Sequence, residues 1–195
     1  MTPRPRLAAA DRREQLLDVA ADIVAAGGAR ALTVDAVVAK AEVHRPVVYR
    51  HFANAEVLLD AVVERELNRL HHATETAVTG KVGFEARMRA AVGAWMELFA
   101  KDPVVMSIAL VRPPSNDPLR ARRRQQNRLA VRFVAAEFAA AGVDTVDAEI
   151  AGATLLHGLV GIVELWAAKR INRRVAIDRY VRIATATLRE LAPRT

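Results

Sequence analysis

The 195-residue sequence has no cysteine, only two serines and an aromatic content of 5%. Without cysteine there can be no disulfide framework and no thiolate metal site. Ser107 and Ser115 do not stand in the glycine-rich turn that presents a nucleophilic serine, and there is neither a phosphate-binding glycine loop nor a dinucleotide fingerprint. The adjacent His71 and His72 would point about 100° apart on a helix and could not share a metal ion. We therefore expect a protein that is not an enzyme and uses no cofactor.

Long apolar runs are also lacking. No stretch approaches the roughly eighteen uninterrupted apolar residues that indicate a membrane-spanning helix. The first residues, MTPRPRL, are basic but lack the apolar run of a secretory signal. The sequence thus predicts a cytoplasmic protein that has no membrane partner.

An excess of positive charge is spread along the whole chain. The formal net charge is +7 and the sequence pI is near 10.7. Residues 1–53 contribute a net charge of +2 and the remaining residues contribute +5. The charge therefore permits a polyanionic partner without indicating which part of the chain would bind it.

Apolar residues recur at helical spacing along most of the chain, and no segment shows the alternation of a strand. This periodicity predicts an all-α protein of about nine helices. The first helix is expected to begin at Asp11, in a capping box with Glu14, and to stop at Gly27-Gly28. Asn54 is expected to cap a long fourth helix, and a short apolar helix is predicted within residues 102–112.

The most informative segment, residues 32–52, has the pattern of two short helices joined by a tight turn. Thr33 is expected to cap the first helix, because its hydroxyl oxygen can accept a hydrogen bond from a free N–H group. The second helix begins near His44 and tolerates Pro46 in its first turn. Its apolar positions are Val48 and Phe52, and its exposed positions are Arg45, Tyr49, Arg50 and His51. This pattern is typical of a helix-turn-helix motif that enters the major groove of DNA.

Residues within positions 12–60 also carry a family resemblance. They are Leu16-Leu17, Ile23-Val24, Gly28, Leu32-Thr33-Val34, Val37-Val38, Ala41, Val43, the run Val48-Tyr49-Arg50-His51-Phe52, Asn54, Glu56 and Leu58. In this combination they resemble the TetR family of transcriptional regulators. The resemblance implies a homodimer with a three-helix DNA-binding domain in residues 1–53 and a helical domain for effector binding and dimerisation in residues 54–195.

The resemblance implies DNA contacts for seven side chains. Thr33, Tyr49 and His51 match positions that hold the phosphate backbone, whereas His44, Arg45, Val47 and Arg50 lie on or beside the surface that faces the base edges. Phosphate contacts fix the register of a protein on DNA, and contacts in the groove carry the sequence information. Arg45 or Arg50 could hydrogen-bond to guanine, and Val47 could pack on a thymine methyl group.

Three positions depart from the family pattern. Glu42 occupies a turn position where glycine is frequent, so it must accept an unfavourable backbone conformation or alter the turn. His44 stands where serine or threonine commonly caps the second helix, and Ala55 stands where a lysine often meets phosphate. We therefore expect fewer phosphate contacts and a shallower salt dependence of DNA binding than is typical of the family.

Large apolar side chains are spread over the predicted C-terminal helices, where they form either a packed core or the walls of an effector cavity. The candidate effector-binding residues are Trp95, Met96, Phe99, Met106, Phe133, His157 and Trp166. His157 lies in an otherwise apolar helix and is alternatively a core or dimer-interface residue. Gly152, Gly158 and Gly161 on that helix indicate a seam where another helix approaches closely, and we expect this helix and the last one to form a four-helix dimer interface.

A cationic stripe recurs every four residues on another predicted helix, at Arg120, Arg124, Arg128 and Arg132. It is either a solvated face or a surface for acidic groups of the partner subunit or of an anionic effector.

Two functions remain open at this point. The first is a ligand-responsive transcriptional regulator, expected to be a repressor, that binds palindromic operator DNA as a homodimer and is released by a small apolar effector. The alternative is a helical small-molecule-binding or interaction protein whose DNA binding is weakened, as Glu42 and Ala55 suggest.

Overall fold

In the computed structural model, the residues described are 8–102, 106 and 117–193, and within them the chain forms eight α-helices and no strand. They are α1 Ala9–Gly27, α2 Val34–Ala41, α3 Arg45–His51, α4 Ala55–Val78, α5 Phe84–Lys101, α6 Asp117–Ala139, α7 Thr145–Ala167 and α8 Arg173–Leu191. The all-α prediction is confirmed. The helix predicted within residues 102–112 lies outside the described residues, apart from Asp102, which caps α5, and Met106, which is helical.

The described residues divide into two compact units within α4. Residues 8–66, with 106 and 117–119, form the first unit, and residues 67–102 and 120–193 form the second. The functional boundary expected between residues 53 and 54 stays a prediction.

The first unit is a bundle of short helices around an aliphatic core. Helix α1 packs against α2, and α2 packs against α3. The core side chains come from all four helices and include Leu16, Leu17, Val24, Val37, Val48, Leu58 and Val62, with Phe52 at the end of α3. Phe52 is therefore a core residue that fixes α3 to its scaffold.

Side-chain caps define two of the helix starts in this unit. The backbone N–H of Ala36 donates to Thr33 Oγ1 over 3.1 Å, and that of Val57 donates to Asn54 Oδ1 over 2.8 Å, so both predicted caps are confirmed. The capping box predicted at Asp11 is wrong. Helix α1 begins two residues earlier, at Ala9, because alanine continues a helix at little cost and leaves the aspartate inside the first turn, where the helix dipole favours it.

Arg65 joins α4 to α1. Its guanidinium Nη1 lies 2.8 Å from Asp18 Oδ1 and 3.5 Å from Glu14 Oε2, and its Nη2 donates to the carbonyl oxygen of Leu17 over 3.4 Å. Its Nε lies 3.2 Å from Glu66 Oε1, and both side chains of this pair are largely buried, with exposed fractions of 12% and 5%. A buried charge needs such partners, so this cluster fixes the register of the two helices.

In the second unit, helices α5, α7 and α8 pack against one another. The core here contains Met88, Val92, Met96, Phe99, Leu155, Leu159, Val163, Val181 and Ala184. The Tyr180 hydroxyl donates to the carbonyl oxygen of Leu155 over 3.1 Å, and burial raises the pKa of this phenol above its ordinary value. Arg87 joins α5 to α6 through a hydrogen-bonded ion pair with Glu137, which raises the pKa of the guanidinium.

Gly152 permits a close approach of α6 to α7. A Cβ atom at this position would lie 2.7 Å from the carbonyl oxygen of Val131 and 3.2 Å from the backbone nitrogen of Ala135. By contrast, a Cβ atom at Gly158 or Gly161 would meet nothing within 4 Å. The predicted helix seam is thus present at the first of these three glycines, and the other two lie on an exposed surface.

Replacing Gly152 by alanine is expected to lower the free energy of unfolding by about 1–3 kcal/mol, because the added methyl group overlaps rigid backbone atoms. The matched control is Gly93→Ala in α5, where a Cβ atom meets nothing within 4 Å. That change should raise the free energy of unfolding by about 0.5–1 kcal/mol through helix propensity alone. Urea denaturation of the two variants measures the difference, and equal stabilities would contradict the close helix approach.

Candidate nucleic-acid interface and effector region

Helices α2 and α3 are joined by a three-residue turn whose first residue has a left-handed backbone. Glu42 ends α2 with φ 52° and ψ 46°, the conformation that glycine adopts most readily. His44 stands at the N-cap of α3 and makes no side-chain capping bond. Both departures that the sequence indicated at this turn are therefore present, and Glu42 accepts the strained backbone rather than changing the turn.

Replacing Glu42 by glycine is expected to raise the free energy of unfolding by about 0.5–1 kcal/mol, because relief of the left-handed strain exceeds the entropy cost of glycine. Glu42→Ala is the control, since it removes the same carboxylate and keeps a Cβ atom. Chemical denaturation should show the gain in the glycine variant only. A gain of the same size in the alanine variant would assign the effect to charge.

One side of α3 is buried and the other is open. Val48 is 1% exposed, and Tyr49 is 49% exposed. All seven predicted DNA-contacting residues are at least partly accessible: Thr33, His44, Arg45, Tyr49 and Arg50 are exposed, and Val47 and His51 are half-buried. Thr33 lies at the start of α2, and the other six lie on α3 or at its N-cap. Their contacts with DNA stay a prediction.

Charged side chains on the first unit form several contacts around α2 and α3. The Arg45 guanidinium makes an ion pair with the carboxylate of Asp35 on α2. Lys40 Nζ lies 3.1 Å from Asp22 Oδ2, and the Arg13 guanidinium carbon lies 5.3 Å from the centroid of the Phe52 ring. The sequence interpretation did not single out Asp35. It lies ten residues before its partner on a different helix, so no spacing rule within one helix relates the two.

The predicted effector-binding residues occupy different environments. Met96, Phe99 and Met106 are buried, Trp95, Phe133 and Trp166 are half-buried, and His157 is exposed. The rings of Phe99 and Trp166 are brought together, with centroids 6.3 Å apart. The other residues are not shown to share a site, and Met106 belongs to the first compact unit while the other six belong to the second. The effector-binding roles stay a prediction.

The surface of α7 that carries His157 is open and largely apolar. His157 Nδ1 bonds to the carbonyl oxygen of Ala153 in its own helix over 2.8 Å. The exposed Thr154 and Glu164 are the polar neighbours of His157 on this helix. Exposed apolar or small residues on α7 are Val146, Ile150, Gly158, Gly161 and Leu165, at spacings of four, eight, three and four positions. On α8, Ile183 is 53% exposed. We call these six apolar or small residues and His157 the α7–α8 face.

Helix α7 is also the one described helix that is long and apolar enough to cross a membrane, although only 28% of its most apolar window is buried. Such a helix is weak evidence for a membrane, because helices that pack in protein interiors pass the same test. Across residues 8–102 and 117–193, no three histidine or acidic side chains are grouped as metal ligands. His71 instead pairs with Glu75, with 3.1 Å between Nε2 and Oε1.

The predicted arginine stripe lies on α6. Arg128 and Arg132 are exposed, and the side chains of Arg120 and Arg124 lie outside the described part of the chain. The two interpretations of the stripe therefore stay open.

The sequence of this chain is similar to sequences of known transcriptional regulators. The model for "Bacterial regulatory proteins, tetR family" matches residues 16–62. The chain is 32% identical over 97 residues to the HTH-type transcriptional activator FasR of Mycolicibacterium smegmatis, a match that covers 50% of this chain and 44% of that protein. The aligned region thus spans less than half of that relative.

Solved structures match over nearly the whole length. A TetR-like transcriptional regulator from Rhodococcus sp. RHA1 aligns with a TM-score of 0.75 at 22% identity, covering 94% of this chain and 99% of that one. The fatty acid degradation regulator FadR from Bacillus halodurans aligns with a TM-score of 0.73 at 14% identity, covering 94% and 96%. These likenesses establish a shared fold, with an N-terminal helix-turn-helix and a C-terminal helical region.

Proposed function

We propose that this chain is a regulator of the TetR family, whose model matches residues 16–62, and that it binds palindromic operator DNA as a homodimer and leaves it when a small apolar effector binds. One observation carries the DNA-binding part. Val48 and Phe52 hold helix α3 on the buried core of the first unit. Tyr49, Arg45, Arg50 and His51 supply a phenol, two guanidinium groups and an imidazole that are at least partly accessible. An operator-binding regulator of this kind works in the cytoplasm.

Two groups of side chains make two kinds of contact with DNA. Thr33, Tyr49 and His51 hold phosphates and fix the register, while His44, Arg45, Val47 and Arg50 meet the base edges. The accessible positions of all seven support this assignment. Thr33 already accepts a bond from Ala36 N–H, so it serves DNA with its hydroxyl proton, which a phosphate oxygen can accept.

The α7–α8 face supports the dimer. Its residues would leave apolar area in water on a single protomer, and a twofold axis would cover that area with the same face of a second copy. Gly158 and Gly161 weaken an isolated helix, since each costs roughly 0.5–1 kcal/mol relative to alanine. Within the described part of the protomer, a Cβ atom at either position would meet nothing within 4 Å, so no close contact requires glycine there. In a dimer, their small size would let a helix of the partner approach closely.

The Phe99 and Trp166 ring pair supports an apolar effector site in the second unit. Trp95 and Trp166 are the two tryptophans of the chain, so their fluorescence reports on this region directly. A saturable change in emission on adding straight-chain fatty acids of increasing length, used as apolar probes, would support the site. The same change in a Phe99→Ala variant would contradict a role for the ring pair.

Repression is proposed from the behaviour of the family, although the FasR relative carries the name of an activator. The alternative function, a helical small-molecule-binding protein with weakened DNA binding, is favoured by Glu42 and Ala55. The carboxylate of Glu42 would repel phosphate, and Ala55 offers no cation to attract it.

DNA-binding measurements distinguish the two functions. Fluorescence anisotropy with genomic fragments that flank the gene should show submicromolar binding to one fragment and much weaker binding to the others. The affinity for the preferred fragment should fall as salt is added. The protein should still bind that fragment more tightly than the others, because base contacts survive screening of the phosphates. Equal binding to every fragment, abolished by moderate salt, would favour the alternative.

A further inference from the structure

The two arginines of α3 differ in their surroundings, although both are exposed and both are proposed to meet base edges. Arg45 Nη2 is paired with Oδ1 of Asp35 in the first turn of α2. Arg50 makes no ion pair with any of the residues that the structure describes. Only one of the two guanidinium groups is therefore held by the protein before DNA arrives.

The ion pair between Arg45 and Asp35 contributes little to the stability of the fold. The Arg45 and Asp35 side chains are 58% and 67% exposed, and an ion pair so accessible to water contributes little to stability. The contact between α2 and α3 is secured by buried apolar side chains such as Val37 and Val48. A carboxylate beside the DNA-facing helix also repels phosphate, so its placement there opposes binding in general.

We propose that Asp35 is a specificity-determining residue of the DNA-binding surface, and that it acts by holding the guanidinium group of Arg45. This inference rests on the proposed operator binding. On DNA of arbitrary sequence, Arg45 meets phosphate, and the carboxylate of Asp35 held beside it repels that negative charge. At a matching half-site, guanine offers two acceptors, O6 and N7, to the guanidinium group. The guanidinium has five N–H donors, so a bond to Asp35 leaves donors for the base.

Asp35 therefore weakens the contact of Arg45 with phosphate on any DNA, and it weakens the contact with guanine less. We define the specificity ratio as the Kd for non-specific DNA divided by the Kd for operator DNA. Asp35 raises this ratio. Negative groups that discourage wrong partners are a general route to specificity.

The test is Asp35→Asn, which removes the charge and keeps the size of the side chain. Affinity for a scrambled duplex should rise about 1.5- to five-fold, the range expected for an exposed ion pair. Affinity for the operator should rise by a smaller factor or fall, so the specificity ratio should fall. The matched control is Asp22→Asn, which breaks the exposed pair with Lys40 and changes the charge equally. It should leave the specificity ratio unchanged.

A second background separates the holding of Arg45 from a simple change in charge. In Arg45→Gln protein, Asp35→Asn should change both affinities by the same factor, because no guanidinium group remains to be held. A ratio that stays constant in the parent background, or that falls equally in both backgrounds, overturns the inference. A ratio of one for the unsubstituted protein instead overturns the proposed operator binding, and the inference with it.

Discussion

Protein carrying both Tyr49→Phe and Arg50→Ala is expected to bind operator DNA at least about 100-fold more weakly than the unsubstituted protein. Each base contact by an arginine contributes about 1–3 kcal/mol, and each hydrogen bond from a phenol to an anionic phosphate contributes about 1.5–3 kcal/mol. A dimer loses both contacts at two half-sites, which makes a 100-fold loss a conservative figure. Anisotropy titration of the operator measures it.

The fold should not change in this double variant, because both side chains point into solvent. Arg128→Ala is the matched control, since it removes another exposed arginine, this one from the second unit, and should leave the operator affinity within about two-fold. Operator binding by the double variant within about three-fold of the parent would remove α3 from the interface, since even one lost base contact exceeds that factor.

Replacing Ile150 by glutamate is expected to convert the proposed dimer to a monomer. Ile150 lies 59% exposed on the α7–α8 face, and a twofold interface would bury two new carboxylates there. An unpaired buried charge costs about 2–5 kcal/mol, so the dimer Kd should rise by at least about 100-fold. Sedimentation velocity at micromolar concentration reports the state directly, and operator affinity should fall in parallel because a single protomer reaches one half-site.

Val82→Glu is the control for this second prediction. Val82 is the most exposed large apolar residue in the described chain, at 89%, and lies outside the α7–α8 face. Its substitution should leave the protein dimeric. An Ile150→Glu protein that sediments with the parent would contradict the interface. Binding of the parent protein to lipid vesicles, lost in this variant, would assign the face to a membrane instead.

The helix-turn-helix could be predicted because its signals are local. Thr33 and Asn54 bond to N–H groups three residues along the chain, and the spacing of Val48 and Phe52 determines which side of α3 is buried. Even the unfavourable turn at Glu42 is visible in the sequence, since a position that needs a left-handed backbone and lacks glycine can be recognised there. The start of α1 is harder to place, because three alanines allow the helix to begin early.

Contacts between helices could not be predicted in the same way. Arg65 falls at an apolar position of the α4 pattern, and nothing in its own helix indicates that Asp18 and Glu14 of α1 neutralise it. Helix α7 is apolar nearly all round, so its sequence does not distinguish the side that faces the protomer from the side left open. For this reason His157, interpreted either as an effector ligand or as an interface residue, could be placed on the open side only by the structure.

Selection of binding sites from a pool of random double-stranded DNA tests the central claim most directly, since the selection itself identifies the operator sequence. A dimer with one α3 helix per half-site should enrich a twofold-symmetric sequence whose half-site centres lie about 10 base pairs, or a multiple of that, apart. The enriched duplex should bind protomers in even numbers. Recovery of no common sequence, or of an asymmetric one bound by a single protomer, would contradict the assignment of this chain as a dimeric operator-binding regulator.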